Sequence, residues 1–404
     1  MKYINGGVCA PKGFKASGVH CGIRKNKSKR DIALIFSEVP ASAGAVYTTN
    51  LVKGAPLTVT KNNISNGYAR AVICNSGNAN TCNANGIELA TETCKLLASQ
   101  LNIDYRDVIV ASTGVIGQPM TIEPFERGIP QLIKELSDSG NDNASEAIMT
   151  TDTVSKQVAV EFELNGVTCK IGGMAKGSGM IHPNMATMLV FLTSDVNITS
   201  EMLNKALKSD IQDTFNMISI DGDTSTNDMV SILANGLAGN KLIESETEDY
   251  FVFKKALNTL TEKLCKMIAK DGEGATKLIE CEVNGAENIV QAKKVAKSVI
   301  CSSLVKCAMF GADANWGRIL CAIGYSGEQV NVNTIDVFFK SKKGEIAVAK
   351  NGASLDFSEE KAKEILLEDE ILIRVELNIG DKSARAFGCD LTHEYVSING
   401  DYRT

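Results

Sequence analysis

Strand-like runs of aliphatic and β-branched residues, each stopping at a glycine- or asparagine-bearing turn, alternate along this chain with segments whose apolar residues recur at helical spacing. That alternation holds the fold to the α/β class. Residues 31–38 (DIALIFSE) and 43–49 (AGAVYTT) predict two strands with a short polar connection. GYARAVICNSGNANTC predicts a strand running into a Gly/Asn turn, where Asn75 and Ser76 read as scaffold or site wall, and a helix over 85–101 follows. A strand over 107–117 precedes a helix from Ile122 to Leu136, with Pro119 in the turn between them. KQVAVEFELNGVTCKIGGMAKG alternates around Asn165-Gly166 and predicts a hairpin. Beyond it, LVFLTSD predicts a buried strand, NITSEMLNKALKSDIQDTFN a helix, and MISIDGDTSTND a strand that delivers Asp221, Asp223 and Asp228 into a loop. DMVSILANGLAG predicts a helix, as do 248–270 and 287–309, with the strand GATKLIECEVNG between those two. A more polar stretch over 328–377 holds VNTIDVFF, GEIAVAKNG, the helix SEEKAKEILLE and the last predicted strand, ILIRVELNIG.

A chain of 404 residues is long enough for more than one domain. No repeat or low-complexity linker marks a boundary, and a weak break near 186 divides it into two substantial parts. The formal charge of -6 argues against nucleic acid as a partner. Arg24, Lys25, Lys27, Lys29 and Arg30 form one basic cluster, which suits a solvated loop better than a phosphate site. Twelve irregularly placed cysteines, mostly within apolar segments, suit buried thiols in a reducing compartment. No cysteine pair has zinc-site spacing, there are three histidines (His20, His182 and His393), and the aspartates of IDGDTSTND do not have EF-hand spacing, so no metal is expected. There is no signal-peptide core and no apolar run of roughly 18 residues that would span a membrane. A soluble cytoplasmic protein is the expectation.

The polar clusters fall at strand ends, where α/β proteins place binding groups. In KGSGMIHPNMATMLVFLTSD, residues 176–195, Thr187 heads an apolar strand directly after Ala186. There is no G-x-S-x-G elbow and no H-E-x-x-H. A threonine hydroxyl is a weak nucleophile without a base, and a chain that begins at threonine carries one in its own α-amine. That amine has an ordinary pKa of about 7.7 to 8.0, close enough to neutrality to accept a proton. An internal threonine reaches that state only if the bond before it is cut; the small Ala186 and the glycine-rich turn permit a strained peptide there, with positive charge from Lys176. An ordinary strand-start threonine explains the same residues.

Read with STGVIG, MTTDT, DGDTSTND, GEGATK, GADANWGR and the terminal GCDLTHEYVSINGDYRT, the stretch resembles the bacterial glutamate N-acetyltransferase family, also called ornithine acetyltransferase. The resemblance runs from GGVCAPKGFKASG to the last residue, with the motifs in order. It implies a mixed α/β sandwich of the self-processing type with a smaller second domain. It also implies self-cleavage at Ala186-Thr187 into chains 1–186 and 187–404, which assemble as α2β2. Acetyl would pass from N-acetylornithine to glutamate by way of Thr187. The family's oxyanion-hole pair falls on Thr113 and Gly114, and its substrate contacts fall on Thr153, Lys176, Thr187, Glu273, Asn399 and Thr404. Lys176 or the hydroxyls would meet the substrate carboxylates, and Glu273 the positive amine of ornithine. No cofactor or metal is implied. Acetyl-CoA enters only as a possible second acetyl donor, and no residue decides it; its use is expected to be absent or much weaker. Phe387 and Gly400 stand where the family commonly has tryptophan and alanine, near the C-terminal substrate wall.

Two other classes fit parts of the pattern. An N-terminal-nucleophile amidohydrolase or aminopeptidase would release its acyl group to water, and an uncleaved metabolite-binding protein would never expose Thr187.

Overall fold

In the computed structural model the chain is described over residues 1–182 and 188–400; Ala186, Thr187 and Thr404 lie outside the described residues. The chain divides into two compact units, each with its own sheet. The first takes Met1–Gly177, Asn184–Gln212 and Thr224–Leu264, and the second, smaller one takes Ser178–Pro183, Asp213–Asp223 and Cys265–Thr404.

Among the described residues, the first unit holds a nine-stranded sheet. Its strands run in the order Lys2–Ile4, Lys156–Leu164, Val167–Lys176, Leu189–Ser194, Met229–Ala234, Ile32–Tyr47, Tyr68–Asn78 and Val108–Val115, with Phe14–Val19 also paired to Ile32–Tyr47. The two strands expected over 31–38 and 43–49 are one continuous strand. Its first half pairs with Phe14–Val19 and its second with Met229–Ala234, and its register against Tyr68–Asn78 shifts between Phe36 and Ala41. Ala33 and Ile35 from the first half share one core with Ala43, Met174, Leu189, Phe191 and Met229. The polar stretch is therefore a bend at which the strand turns its two halves toward one core, giving two sheet layers. Ile32, Leu34, Ala71, Ile73, Val108 and Val110 point the other way, into a second core with Leu89, Leu97, Phe125 and Ile129 of helices Gly86–Leu101 and Glu123–Lys134. Alternation within each strand thus buries both faces.

The helix expected in DMVSILANGLAG is a correction: Met229–Ala234 is a strand, parallel to Leu189–Ser194 and antiparallel to Ile32–Tyr47. Every residue in it is buried, so it shows a continuous apolar run that periodicity cannot tell from a buried helix. The hairpin forms as expected, with Asn165 at φ 47° and Gly166 at φ 82° closing Lys156–Leu164 on Val167–Lys176.

The second unit holds seven strands among the described residues, ordered Ala353–Ser354, Gly344–Lys350, Asp336–Ser341, Glu370–Glu376, Leu278–Ala286, Lys382–Cys389 and Ile218–Ser219. The helix expected over 287–309 is two, Ile289–Cys301 and Ser303–Phe310, because Ser302 leaves helical geometry and accepts from Val305 N as the cap of the second. Val295, Val299 and Ile300 pack with Cys281 and Val283 of the sheet. ILIRVELNIG is not the last strand, since Lys382–Cys389 follows it and the helix His393–Asn399 comes after.

Candidate active site

Thr113 and Gly114 end the strand Val108–Val115, in parallel register with Ser76 and Gly77. Gly114 has φ 129° and Gly77 φ 140°, in the region that favours glycine. A Cβ on Gly114 would lie 2.3 Å from the Gly77 carbonyl carbon and 2.6 Å from Asn78 N, so the two backbones approach as only glycine permits. Beneath this turn lies a buried amide network: Ser112 Oγ donates to Asn75 Oδ1 at 2.5 Å, and Asn75 Nδ2 donates to Asn78 O at 2.9 Å. Ser76 Oγ donates to Ala147 O at 2.5 Å, so Asn75 and Ser76 serve as scaffold.

The DGDTSTND loop joins this turn to the neighbouring layer. Asn227 Nδ2 donates to Ala79 O at 2.5 Å and Ser112 O at 3.0 Å, while its Oδ1 accepts from Thr81 Oγ1 at 2.7 Å and Thr226 Oγ1 at 2.5 Å. Two residues on, Met229 N donates to Met188 O at 2.9 Å, the residue that follows Thr187. One side chain, Asn227, thereby ties the residue before Thr113 to the strand end beside the head of Leu189–Ser194.

Lys176 ends the strand Val167–Lys176 at the same level, opposite Leu189, and is only 8% exposed. Its Nζ is 4.0 Å from Asp152 Oδ2. Asp152 also binds Lys156 Nζ at 2.6 Å through Oδ1 and accepts from Thr150 N at 2.9 Å and Gly177 N at 2.7 Å. Burial opposes its charge, yet Lys176, Lys156 and these donors hold its carboxyl well below the usual carboxylate range. Asp228 behaves in the opposite way, since burial pushes its carboxyl well above the ordinary value against the weaker pull of Ser225, Lys176 and Thr48. Asp152 thus stands between Lys156 and Lys176 at these strand ends. Thr153 is exposed on the turn after Asp152.

In the second unit, Glu273 is 8% exposed, with its carboxylate against Gly179, where a Cβ would lie 2.4 Å from Oε2. Glu273 N donates to Ser178 O at 2.8 Å, and Asn399 Nδ2 donates to Glu273 Oε2 at 2.8 Å. Asp221 accepts from Met180 N at 2.6 Å, Ile181 N at 2.8 Å and Tyr395 Oη at 3.2 Å, and so fastens residues 180–181 and the C-terminal helix to one carboxylate. The structure therefore brings together Glu273 with Asn399, and Lys176 with Asp152 beside Thr153. Sequence reasoning missed Asp152, Lys156 and Asn227. The Asp152-to-Lys156 spacing of four was the available signal for the first two, but it lies on no helix. Phe387 is buried beneath Lys266 Nζ, which is 5.5 Å from its ring centre, so it packs in the core. Gly400 takes an ordinary helical φ of -67°.

In the basic cluster, Arg24 donates to Ser76 O and Met149 O, and Arg30 pairs with Glu146 and donates to Gly18 O. Both arginines thus brace the fold. Among the described residues no three His, Cys, Asp or Glu side chains are placed to hold a metal ion, and no helix is long and apolar enough to cross a membrane.

A sequence profile of the ArgJ family matches residues 15–404. The chain is 49% identical over 405 residues to the arginine biosynthesis bifunctional protein ArgJ of Caldanaerobacter subterraneus, covering 100% of both chains. It is 51% identical over 392 residues to the arginine biosynthesis bifunctional protein ArgJ 1 of Clostridium acetobutylicum, covering 97% of this chain and 96% of that one. A crystal structure of arginine biosynthesis bifunctional protein ArgJ from Bacillus halodurans superposes with a TM-score of 0.50 at 51% identity, covering 52% of this chain and 97% of that one. Matched from near its first residue to its last, the chain belongs to the ArgJ family, the ornithine acetyltransferase/glutamate N-acetyltransferase enzymes of arginine biosynthesis.

Proposed function

We propose that this chain cuts itself between Ala186 and Thr187 and carries an acetyl group on the threonine so exposed. As a member of its family it is an acetyltransferase that converts N-acetylornithine and glutamate to ornithine and N-acetylglutamate. The observation that carries the residue-level reading is the Asn227 bridge, which ties the Thr113-Gly114 turn to the strand end next to Met188. In this reading Thr187 Oγ attacks the acetyl carbonyl while the α-amine takes its proton. The Thr113 hydroxyl and Gly114 N–H receive the oxyanion, each donor contributing about 3 to 4 kcal/mol. The proton returns to the nitrogen of departing ornithine. Glutamate's amine then attacks acetyl-Thr187, and the second half-reaction runs in reverse.

Lys176, at the strand end beside Asp152, suits the α-carboxylate common to both substrates, and Glu273, held by Asn399, suits the side-chain ammonium of ornithine. Thr153 and Thr404 complete the proposed contacts. The Bacillus halodurans polypeptide, almost wholly matched by about half of this chain, has the length expected of one cleavage product. Residues 1–186 and 187–404 would then assemble as α2β2 in the cytoplasm.

Intact-mass analysis of the purified protein tests cleavage, and ping-pong kinetics with isotopic acetyl trapped on the 187–404 piece tests the intermediate. A pure, active, uncut chain would sink the scheme. Consumption of N-acetylornithine without N-acetylglutamate would favour the hydrolase class. The relatives' name, bifunctional, favours a second reading in which acetyl-CoA also donates. The same assay with acetyl-CoA in place of N-acetylornithine decides it.

A further inference from the structure

Glu273 stands between Gly272 and Gly274, so the backbone on either side does little to fix where its carboxylate points. That direction must come from what the turn is fastened to. Asp390, 3% exposed, follows the strand Lys382–Cys389 and takes three donors from just beyond Glu273. Its Oδ1 accepts from Thr276 N at 2.8 Å and Lys277 N at 2.9 Å, and its Oδ2 accepts from Thr276 Oγ1. Two residues on, Thr392 Oγ1 donates to Gly274 O at 2.7 Å. The turn then lies directly on the helix His393–Asn399, where a Cβ on Gly274 would come 2.7 Å from Tyr395 N. That helix ends at Asn399, whose Nδ2 donates to Glu273 Oε2 at 2.8 Å. Asp390 and Thr392 therefore anchor both partners of the Glu273–Asn399 contact: the turn that carries one and the start of the helix that carries the other.

We propose that Asp390 and Thr392 are positioning residues that aim the Glu273 carboxylate at the side-chain ammonium of N-acetylornithine, and that they act through it on the acetyl donor and not on glutamate. The proposal rests on the Glu273 contact proposed above. The two substrates differ at the far end of the side chain, which is an ammonium in N-acetylornithine and a second carboxylate in glutamate. A carboxylate held in one place attracts the first and offers the second nothing to bind. Asp390 touches no substrate in this scheme, because its bonds are made within the protein. Without the clamp the turn keeps its outline, since Glu273 N still donates to Ser178 O at 2.8 Å and Ala275 N to Gly272 O at 2.8 Å. What it loses is aim. A Gly-Glu-Gly segment released on one side ranges widely, and its carboxylate then spends part of its time away from the ammonium.

The test measures kcat/KM for N-acetylornithine and for glutamate separately in wild type, Glu273→Gln, Asp390→Ala, Thr392→Val and Thr392→Ser, each first checked by thermal melt. Asp390→Ala is expected to lower kcat/KM for N-acetylornithine about 10- to 100-fold while that for glutamate falls no more than about twofold. Thr392→Val removes one bond without a change of size and is expected to lower the donor value about 10-fold, and Thr392→Ser, which keeps the hydroxyl, to restore it to within about threefold of wild type. A merely structural role would lower both values together by removing folded protein, so equal losses for the two substrates would overturn the proposal. So would a donor value that falls in Glu273→Gln but stays at the wild-type level in Asp390→Ala and Thr392→Val. Where Asp390→Ala does not fold, the Thr392 pair decides alone. A wild-type donor value in Glu273→Gln would instead overturn the Glu273 contact itself, and the proposal with it.

Discussion

Gly77 and Gly114 face one another across two parallel strands so closely that a methyl group on Gly114 would enter the Gly77 carbonyl carbon at 2.3 Å. Backbone stands on both sides of the contact, so the strain has no flexible side chain to relieve it. Gly114→Ala must push the strand ends apart and turn the N–H at 114 away from its present direction. We expect kcat to fall about 100-fold or more, the loss typical of one oxyanion donor, with a smaller change in KM. Thr113→Ala should show a similar kcat loss while melting within a few degrees of wild type, because its hydroxyl is not part of the buried amide network. Steady-state kinetics and a thermal melt on both variants check this; a Thr113→Ala effect confined to KM would remove that hydroxyl from the oxyanion role.

Asp152 holds two buried lysines, and the sign of its pH effect follows from its depressed pKa. The stability it contributes is fully present above the ordinary carboxylate value and is lost as pH falls through the lower folded value. Asp152→Asn leaves Lys156 and Lys176 without that anion, and breaking a buried pair from one side costs about 3 to 5 kcal/mol. Urea denaturation at neutral pH should show a loss of that size and a shallower decline in acid than wild type. Equal stability of the two proteins at pH 7 would contradict the reading of this cluster.

What the sequence disclosed and what it withheld divide along physical lines. Asn165-Gly166 demands positive φ at two successive residues, and the hairpin was legible from that pair alone. Met229–Ala234 was misread because burial on both faces erases alternation. The motif-borne residues Thr113, Gly114, Lys176, Glu273 and Asn399 could be named through resemblance. Their supports could not be: Asn227 acts on Ala79 and Ser112 from nearly 150 and 115 positions away, and no local pattern records such a contact. Asp152 and Lys156 have helical spacing, but the aspartate precedes the strand that begins at Lys156, so their pairing is a tertiary fact.

Gly179 and Asn399 confine the Glu273 carboxylate from two sides. Asn399→Ala removes one hydrogen bond to a charged group, worth about 1.5 to 3 kcal/mol, so KM for N-acetylornithine should rise roughly 10- to 100-fold. Gly179→Ala pushes on the same carboxylate from the other side, and because the group at risk is the end of a flexible side chain, its effect should be on KM and not on folding. The two changes act on one group, so the double variant should lose less than the product of the single effects. A double variant that is fully additive would show that Glu273 is not their shared target.

His182 supplies a pH marker within the second unit. Its Nδ1 lies 3.0 Å from Ser219 Oγ and 3.6 Å from Cys301 Sγ. Burial first, then the positive charge of Lys297, lower its pKa to about 4 against the opposing pull of Asp221. The unfolded chain, with an ordinary imidazole, takes up the proton first as pH falls from about 6.5. Over the window from there to about 4 the unfolded state binds more protons, so stability must decline as pH falls and recover as it rises. His182→Gln keeps a polar partner for Ser219 and removes the titration. Melting temperatures measured every half unit from pH 7 to pH 4.5 should fall less steeply in the variant, with the two curves separating below about pH 6.5. Parallel curves across the whole window would mean that the imidazole charges as readily in the folded protein as in the unfolded one, and that the Ser219, Cys301 and Lys297 surroundings do not hold it neutral.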